Sequence, residues 1–263
     1  MKLKVQYIFV FLAALSIIGC AKDPALYSES DGLYFGSGDS IIYSFAKYPK
    51  KTYDTIQIPV KVLGLSSAQD RPITLEVVSP ETNAALEGKE FKLPVDAMVK
   101  ANSYTGTVPV VVYRTPDLET NTLSFYVKIK PNAGFPGEAI TASQKVKIKI
   151  AYMQEPANWG DLNATITTNW AGYKDNFGTW TPTKYKVILD ALYDETTGTT
   201  ITEFPGNRFA NGYPIVYNSY ITRVKNYIKT NYPGNYNGGK GDVLLDPDHN
   251  NDTVRVGDAK YAY

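Results

Sequence analysis

The chain has 263 residues, 27 basic against 26 acidic side chains, and one cysteine and one histidine beside 21 tyrosines. Charge so nearly balanced argues against nucleic acid as a partner, because phosphate binding needs a basic surface. A lone cysteine excludes disulfides and thiolate metal sites, and a lone histidine leaves triads and zinc sites without a second member, so burial of apolar surface must hold one large or two small domains together.

Lys2 and Lys4 precede an apolar run from Tyr7 to Ile18, broken only by Ser16. The run is shorter than the roughly 20 residues that cross a bilayer as a helix. A basic start, a short apolar middle and small residues at its end predict a secretory signal peptide over residues 1–19. Ile17, Ile18, Gly19 and Cys20 resemble the lipobox of bacterial lipoproteins, with Ile17 where Leu is usual. That resemblance implies cleavage after Gly19, a diacylglyceryl group on the Cys20 thiol and acylation of the freed amine. Each buried CH₂ contributes about 0.8 kcal/mol, and two or more chains anchor stably where one is marginal. Residues 20–30 are polar and contain Pro24; they read as a flexible tether. Lys22 and Asp23 behind the lipid resemble the charged signals that send Bacteroidota lipoproteins to the outer face of the outer membrane. The sequence therefore predicts membrane contact through the N-terminal lipid, at the cell surface, with no later spanning segment.

From 31 to 152 the pattern has period two. Ile56, Ile58, Val60 and Val62 alternate with Gln57, Pro59 and Lys61. Ile73, Leu75 and Val77 share a face, as do Val108, Val110 and Val112. Leu123, Phe125, Val127 and Ile129 oppose Ser124, Tyr126, Lys128 and Lys130, and "KVKIKIAY" repeats the device with Val146, Ile148, Ile150 and Tyr152. Strands with one apolar and one wet side, separated by turn residues, predict an antiparallel sandwich. Pro59 and Pro109 cannot donate to a ladder and are expected at an edge or a bulge. "IPVKVLGL", "RPITLEVV", "NAALEGKEF" and "LETNTLSFYVKI" follow one another as in immunoglobulin-like sandwich modules of the Calx-beta type. Such modules can hold calcium with clustered acids; here the acids are too scattered to carry that role over. Gly88 and Phe91 read as turn and core.

The pattern changes in a C-terminal domain from 157 to 263, predicted to be smaller and α+β. Thr181 is placed as an N-cap with Pro182 at the first helical position, and Tyr185, Ile188, Leu189 and Leu192 follow at helical spacing, with Gly198 ending the episode. A second helix is expected after Pro214, with Tyr217, Tyr220, Ile221, Val224, Tyr227 and Ile228 on one face and Pro233-Gly234 as its stop. "DVLL" and "TVRVG" read as two short strands joined by a polar turn. "FGTWTPTKYKVILDAL" resembles a segment of Bacteroidota lipoproteins of unknown function, in which aromatic-Gly-x-aromatic-Ser/Thr-x-x-Lys precedes a helix. The chain as a whole, through "YFGSGDSIIYSFA" and "DTIQIPVKVLG", resembles one such family, whose members tend to be encoded beside SusC/SusD-like uptake pairs. This implies a setting in nutrient uptake and no catalytic residues. Asp54-Thr55-Ile56 and Asp252-Thr253-Val254 resemble the O-glycosylation triplet of Bacteroidota exported proteins.

Asp246, Asp248, Asn250 and Asp252 alternate as calcium oxygens can. An EF-type loop would need glycine at Asn251 and glutamate at Gly257, so the stretch reads instead as a solvated turn, with His249 on its surface. "NGGKGD" from Asn237 lacks the spacing of a phosphate loop and reads as flexible. No metal site and no cofactor are expected. Asp175, Asp190, Asp194 and Glu195 are available for a carboxylate pair, but nothing singles out two of them, so glycoside hydrolysis is the third choice. Trp159, Trp170, Tyr173, Phe177 and Trp180 crowd one segment together with Asn169, Lys174, Asp175 and Asn176. A sugar's C–H face stacks on such rings while its hydroxyls need polar partners, which makes Trp170, Tyr173, Trp180 and Asp175 the candidate glycan contacts; otherwise the rings form a core. The expected role is that of an accessory in glycan or nutrient binding beside a SusC/SusD-like system. The alternative is a structural or adhesive lipoprotein that binds a protein partner.

Overall fold

In the computed structural model the alternation of apolar and polar residues becomes two facing sheets. The structure describes residues 30–80, 82–138, 143–156, 159, 173–202, 206–207, 215–216 and 218–257. Outside them lie the expected leader, Cys20, the tether up to residue 29, Asn169, Trp170 and Tyr217, as well as the side chains of Tyr173 and Asp175.

The strands of the first unit are β1 (Gly32–Phe35), β2 (Ser40–Ser44), β3 (Tyr53–Leu63), β4 (Arg71–Pro72), β5 (Thr74–Val78), β6 (Phe91–Lys92), β7 (Met98–Val99), β8 (Thr105–Tyr113), β9 (Leu123–Lys130), β10 (Gly137–Glu138) and β11 (Lys145–Ala151). One sheet has the order β10-β1-β3-β8-β6, the other β2-β11-β9-β5, and β4 pairs with β7. The pairing is antiparallel except at two edges, where β1 and β10, and β2 and β11, run parallel. β3 and β8 pair along their length, which sets Ile56 opposite Val110 and Ile58 opposite Val108. On the facing sheet Val127 meets Val146 and Phe125 meets Ile148. All of these side chains are buried in one cluster. Pairs of β-branched and aromatic residues across neighbouring strands are the unit of sheet stabilisation. The two sheets meet at Phe91 of the outermost strand β6 and Phe125 of β9, both fully buried, with ring centroids 3.6 Å apart and planes 4° from parallel. Gly88 turns the chain with φ +85° just before Phe91.

Pro59 and Pro109 stand in the two longest strands of the first sheet rather than at its margin or in a bulge. Val62 N donates to Tyr104 O, which makes Ile58–Val108 and Val60–Gly106 the bonded pairs and leaves 57–109 and 59–107 as the non-bonded ones. Each proline nitrogen therefore points away from the β3–β8 ladder. On those outer sides β1 pairs with β3 only from Val60 and β6 with β8 only at Val111 and Val112. At Pro59 the ladder to the β1 side ends, Gly36 N donating to Pro59 O with no N–H to return the bond, and at Pro109 the flanking strand β6 has already stopped.

The C-terminal part holds α1 (Tyr173–Phe177), α2 (Pro182–Ala191), α3 (Asn218–Asn231) and two-residue pairings, β12 (Gly206–Asn207) with β13 (Ile215–Val216) and β14 (Leu245–Asp246) with β15 (Asp252–Thr253). The strands expected at "DVLL" and "TVRVG" are thus reduced to a minimal ribbon. Tyr185, Ile188, Leu189 and Leu192 of the α2 segment and Val224 and Ile228 of α3 are buried in a second cluster; Tyr220, Ile221 and Tyr227 pack partly buried against it. Val254 and Val256 close that cluster, and Ala46 and Met153 join it from the sandwich. Thr200 N donates to Lys47 O at 3.0 Å across the same seam. Among the described residues no helix is long and apolar enough to cross a membrane.

Candidate functional site

The element 177–184, "FGTWTPTK", accounts for most of the local order in the C-terminal part. Thr181 adopts the extended backbone of an N-cap, and its Oγ1 accepts from Lys184 N at 3.1 Å. Pro182 fills the first helical position, where an N–H would have had no partner. The same Thr181 hydroxyl donates to Asp246 Oδ2 at 2.5 Å, a contact between residues 65 apart in sequence. Thr183 Oγ1 donates to Asp248 Oδ2 at 3.0 Å. Two carboxylates from the turn 246–252 therefore sit at the start of α2, where the helix dipole favours negative charge.

Asp246 is fully buried, which corrects the expectation of a turn solvated throughout. Its Oδ1 accepts from Asp248 N at 3.1 Å, and its carbonyl accepts from His249 N and Asn251 N. Asn250 and Asn251 take left-handed backbone, φ +51° and +57°, which asparagine tolerates better than most residues. His249 Nδ1 lies 2.9 Å from Asp252 Oδ2. Among the described residues, no three histidine, cysteine, aspartate or glutamate side chains gather to hold a metal ion.

Lys184, not singled out from sequence, is fully buried beside this turn. Its ammonium donates to Thr179 O at 3.1 Å. Burial pulls it down to about 8, against the attraction of Asp246 and Asp252. A lysine of that kind is chemically nucleophilic, but here it is sealed between helix start and turn, where it joins the two. The Lys of the aromatic-Gly-x-aromatic-Ser/Thr-x-x-Lys element was the available signal.

The ring-rich segment divides. Trp159 is 1% exposed, its Nε1 donates to Gly178 O at 3.0 Å, and its ring lies 5.8 Å from Phe177 and 5.9 Å from Tyr185. Trp159 and Phe177 are thus core residues, not a ligand surface. Trp180 is half-buried at the rim of the same cluster, 6.4 Å from Tyr185. Its Nε1 is buried and has no acceptor among the described residues. Lys174 is exposed. Asp190 and Asp194 are exposed as well, and Glu195 pairs with Lys50 at 2.5 Å.

Two open concavities belong to the sandwich. A groove of about 610 Å³ runs along β5, between Leu75, Val77 and the segment carrying Leu93, Val95 and Met98. A trough of about 460 Å³ is lined by Asp39, Ser40, Tyr126, Lys145, Lys147 and Lys149. These lysines were read from sequence only as the wet side of a strand; alternate lysines in "YVKIK" of β9 and "KVKIK" of β11 were the available signal.

A Calx CBD1 domain in its apo form resembles the chain at 16% identity and a TM-score of 0.34, covering 47% of this chain and 98% of that one. A protein of unknown function from Bacteroides ovatus aligns at 11% identity and a TM-score of 0.35, over 48% of this chain and 46% of its own. A second Bacteroides ovatus protein of unknown function aligns at 14% identity and 0.31, over 46% of each chain. The chain thus spans less than half the length of either Bacteroides ovatus protein. No curated protein matches it in sequence. Residues 23–192 match the family model described as "Domain of unknown function (DUF4843)", a span that runs through the sandwich and to the end of the α2 segment.

Proposed function

The chain belongs to the DUF4843 family, and on that footing we propose that it is a lipid-anchored accessory of the outer membrane that contacts glycan with the rim of its C-terminal part. The lipobox Ile17-Ile18-Gly19-Cys20 supports the anchor. The observation that carries glycan contact is Trp180. Of the segment's described ring side chains, Trp159, Phe177 and Trp180, it alone keeps part of its face open. A half-open aromatic face suits the C–H face of a sugar. Trp170, Tyr173 and Asp175 remain the companions proposed for it. The role is binding rather than catalysis: Lys184 and Asp246, the most deeply buried ionisable pair of this part, are engaged in the start of α2. A SusC/SusD-like uptake system is the proposed partner.

The test is titration of the full-length chain in non-ionic detergent against a panel of plant and host glycans, with Trp180→Ala and Trp170→Ala alongside. Lost binding with an unchanged melting transition supports the proposal. An absence of binding by the folded wild type across the panel, or wild-type affinity in both variants, would overturn it.

A second reading, docking to a protein partner, is favoured by the groove along β5. β5 is the outer strand of its sheet, and Val95 on the opposite wall is 96% exposed. An open strand edge beside apolar side chains is a template for added strands. Co-purification of a porin-sized partner from solubilised membranes, abolished by Val95→Asp, would support it; recovery of the chain alone would count against it.

A further inference from the structure

The outward face of the β2-β11-β9-β5 sheet concentrates positive charge in a chain that is otherwise nearly neutral. The apolar residues of β11 and β9 point inward, so Lys145, Lys147 and Lys149 stand outward on β11, beside Tyr126, Lys128 and Lys130 on β9. The register sets Lys145 directly opposite Lys128 and Lys147 opposite Tyr126. Like charges in that relation are destabilising.

The compensation is uneven. Glu76 of β5 reaches Lys128 at 3.3 Å and Lys130 at 3.4 Å. Lys145, Lys147 and Lys149 make no ion pair with a carboxylate among the described residues, although Asp39 lines the same trough. Two of them are steadied by an aromatic ring instead, with the Lys145 and Lys147 ammoniums 4.5 Å and 5.4 Å from the Tyr126 centroid. Cations held over one ring lose less freedom when they bind an anion.

We infer that this face is a binding site for a linear anionic polysaccharide, a uronate polymer being the simplest chemistry. Alternate residues of a strand are about 7 Å apart, so the three lysines of β11 form a row about 14 Å long. A row fits repeated anions on an extended chain, whereas a lone phosphate would engage only part of it. The row lines a trough with hydroxyls from Ser40 and Tyr126 along it, which suits a polymer that carries both carboxylates and hydroxyls. This site stands apart from the Trp180 surface and uses charge rather than ring contact, so either can fail without the other.

The experiment is affinity electrophoresis of the full-length chain in detergent, with polygalacturonate or neutral dextran in the gel. Retardation by polygalacturonate alone is expected, weakening as salt is raised. The combined variant Lys145→Gln, Lys147→Gln, Lys149→Gln should lose affinity roughly ten-fold or more. Its melting temperature should hold or rise, because like charges have been removed. Glu76→Gln provides an independent check: it frees Lys128 and Lys130 and should tighten binding. Wild-type affinity in the triple variant, unchanged or weaker binding by Glu76→Gln, or equal retardation by neutral dextran would each overturn the inference.

Discussion

Replacing Lys184 with methionine isolates the energetic effect of burying an ammonium at a helix start. Folded, this lysine is pulled to about 8 by burial, against the attraction of Asp246 and Asp252; its ordinary value is 10.5. Between those values the unfolded chain binds more protons than the folded one, so stability rises with pH across the window. Below the folded value both states are protonated and the whole penalty is present; above the unfolded value both are neutral and it has gone. The separation corresponds to about 3 kcal/mol, of which about 2 kcal/mol is released between about pH 7.5 and about pH 10. Methionine has a similar reach and does not titrate. Urea unfolding followed by helical circular dichroism should therefore show wild type gaining about 2 kcal/mol on Lys184→Met over that range. Tyrosines and the other lysines titrate in both proteins and cancel in the difference. Parallel profiles would refute the argument, because they would mean that the ammonium reaches water in the folded chain.

Thr181→Ala removes an N-cap, worth about 1 kcal/mol, and deprives a buried carboxylate of a donor, worth about 1–3 kcal/mol. A combined loss near 3 kcal/mol is expected in urea unfolding, with Thr181→Ser close to wild type. Phe125→Ala opens the contact between the two sheets at a fully buried ring and should cost about 3–5 kcal/mol, read from the same curves. Gly234→Ala would bring a Cβ within 2.5 Å of Val243 Cγ2 and 2.8 Å of Gly241 O. Its cost should be about 1–3 kcal/mol, with faster amide exchange in residues 233–244 as the local readout.

The sandwich was legible because its information is local. Period two from Ile56 to Val62 and from Val146 to Ile150 states which side chains face inward, and burial follows it residue by residue. Thr181-Pro182 was equally plain, since a cap and the first helical residue lie side by side. What stayed hidden depends on pairing across the chain. Nothing near Asp246 indicates that its carboxylate meets Thr181, because a turn-forming aspartate and a helix-capping aspartate are the same residue type. Pro59 and Pro109 were expected at margins, yet their placement turns on where β1 and β6 stop, which their own strands do not encode. Trp159 and Trp180 could not be separated either: both are large rings in one polar stretch, and only the packing of Phe177 and Tyr185 decides which is enclosed. The lysine rows were visible on each strand, but their adjacency required the register of β9 with β11.

Because Thr181 depends on Asp246, 65 residues downstream, and the second cluster on Val254 and Val256, the helix beginning at Pro182 is finished by residues translated well after it. A message cut short after α3 would still encode the cap threonine and the buried lysine but neither of the acids beside them. Such a product would display an unroofed apolar floor, exposed surface of the kind that makes incompletely folded chains prone to aggregation and degradation. Residues 246–256 thus make the order of a helix conditional on a segment translated long after it.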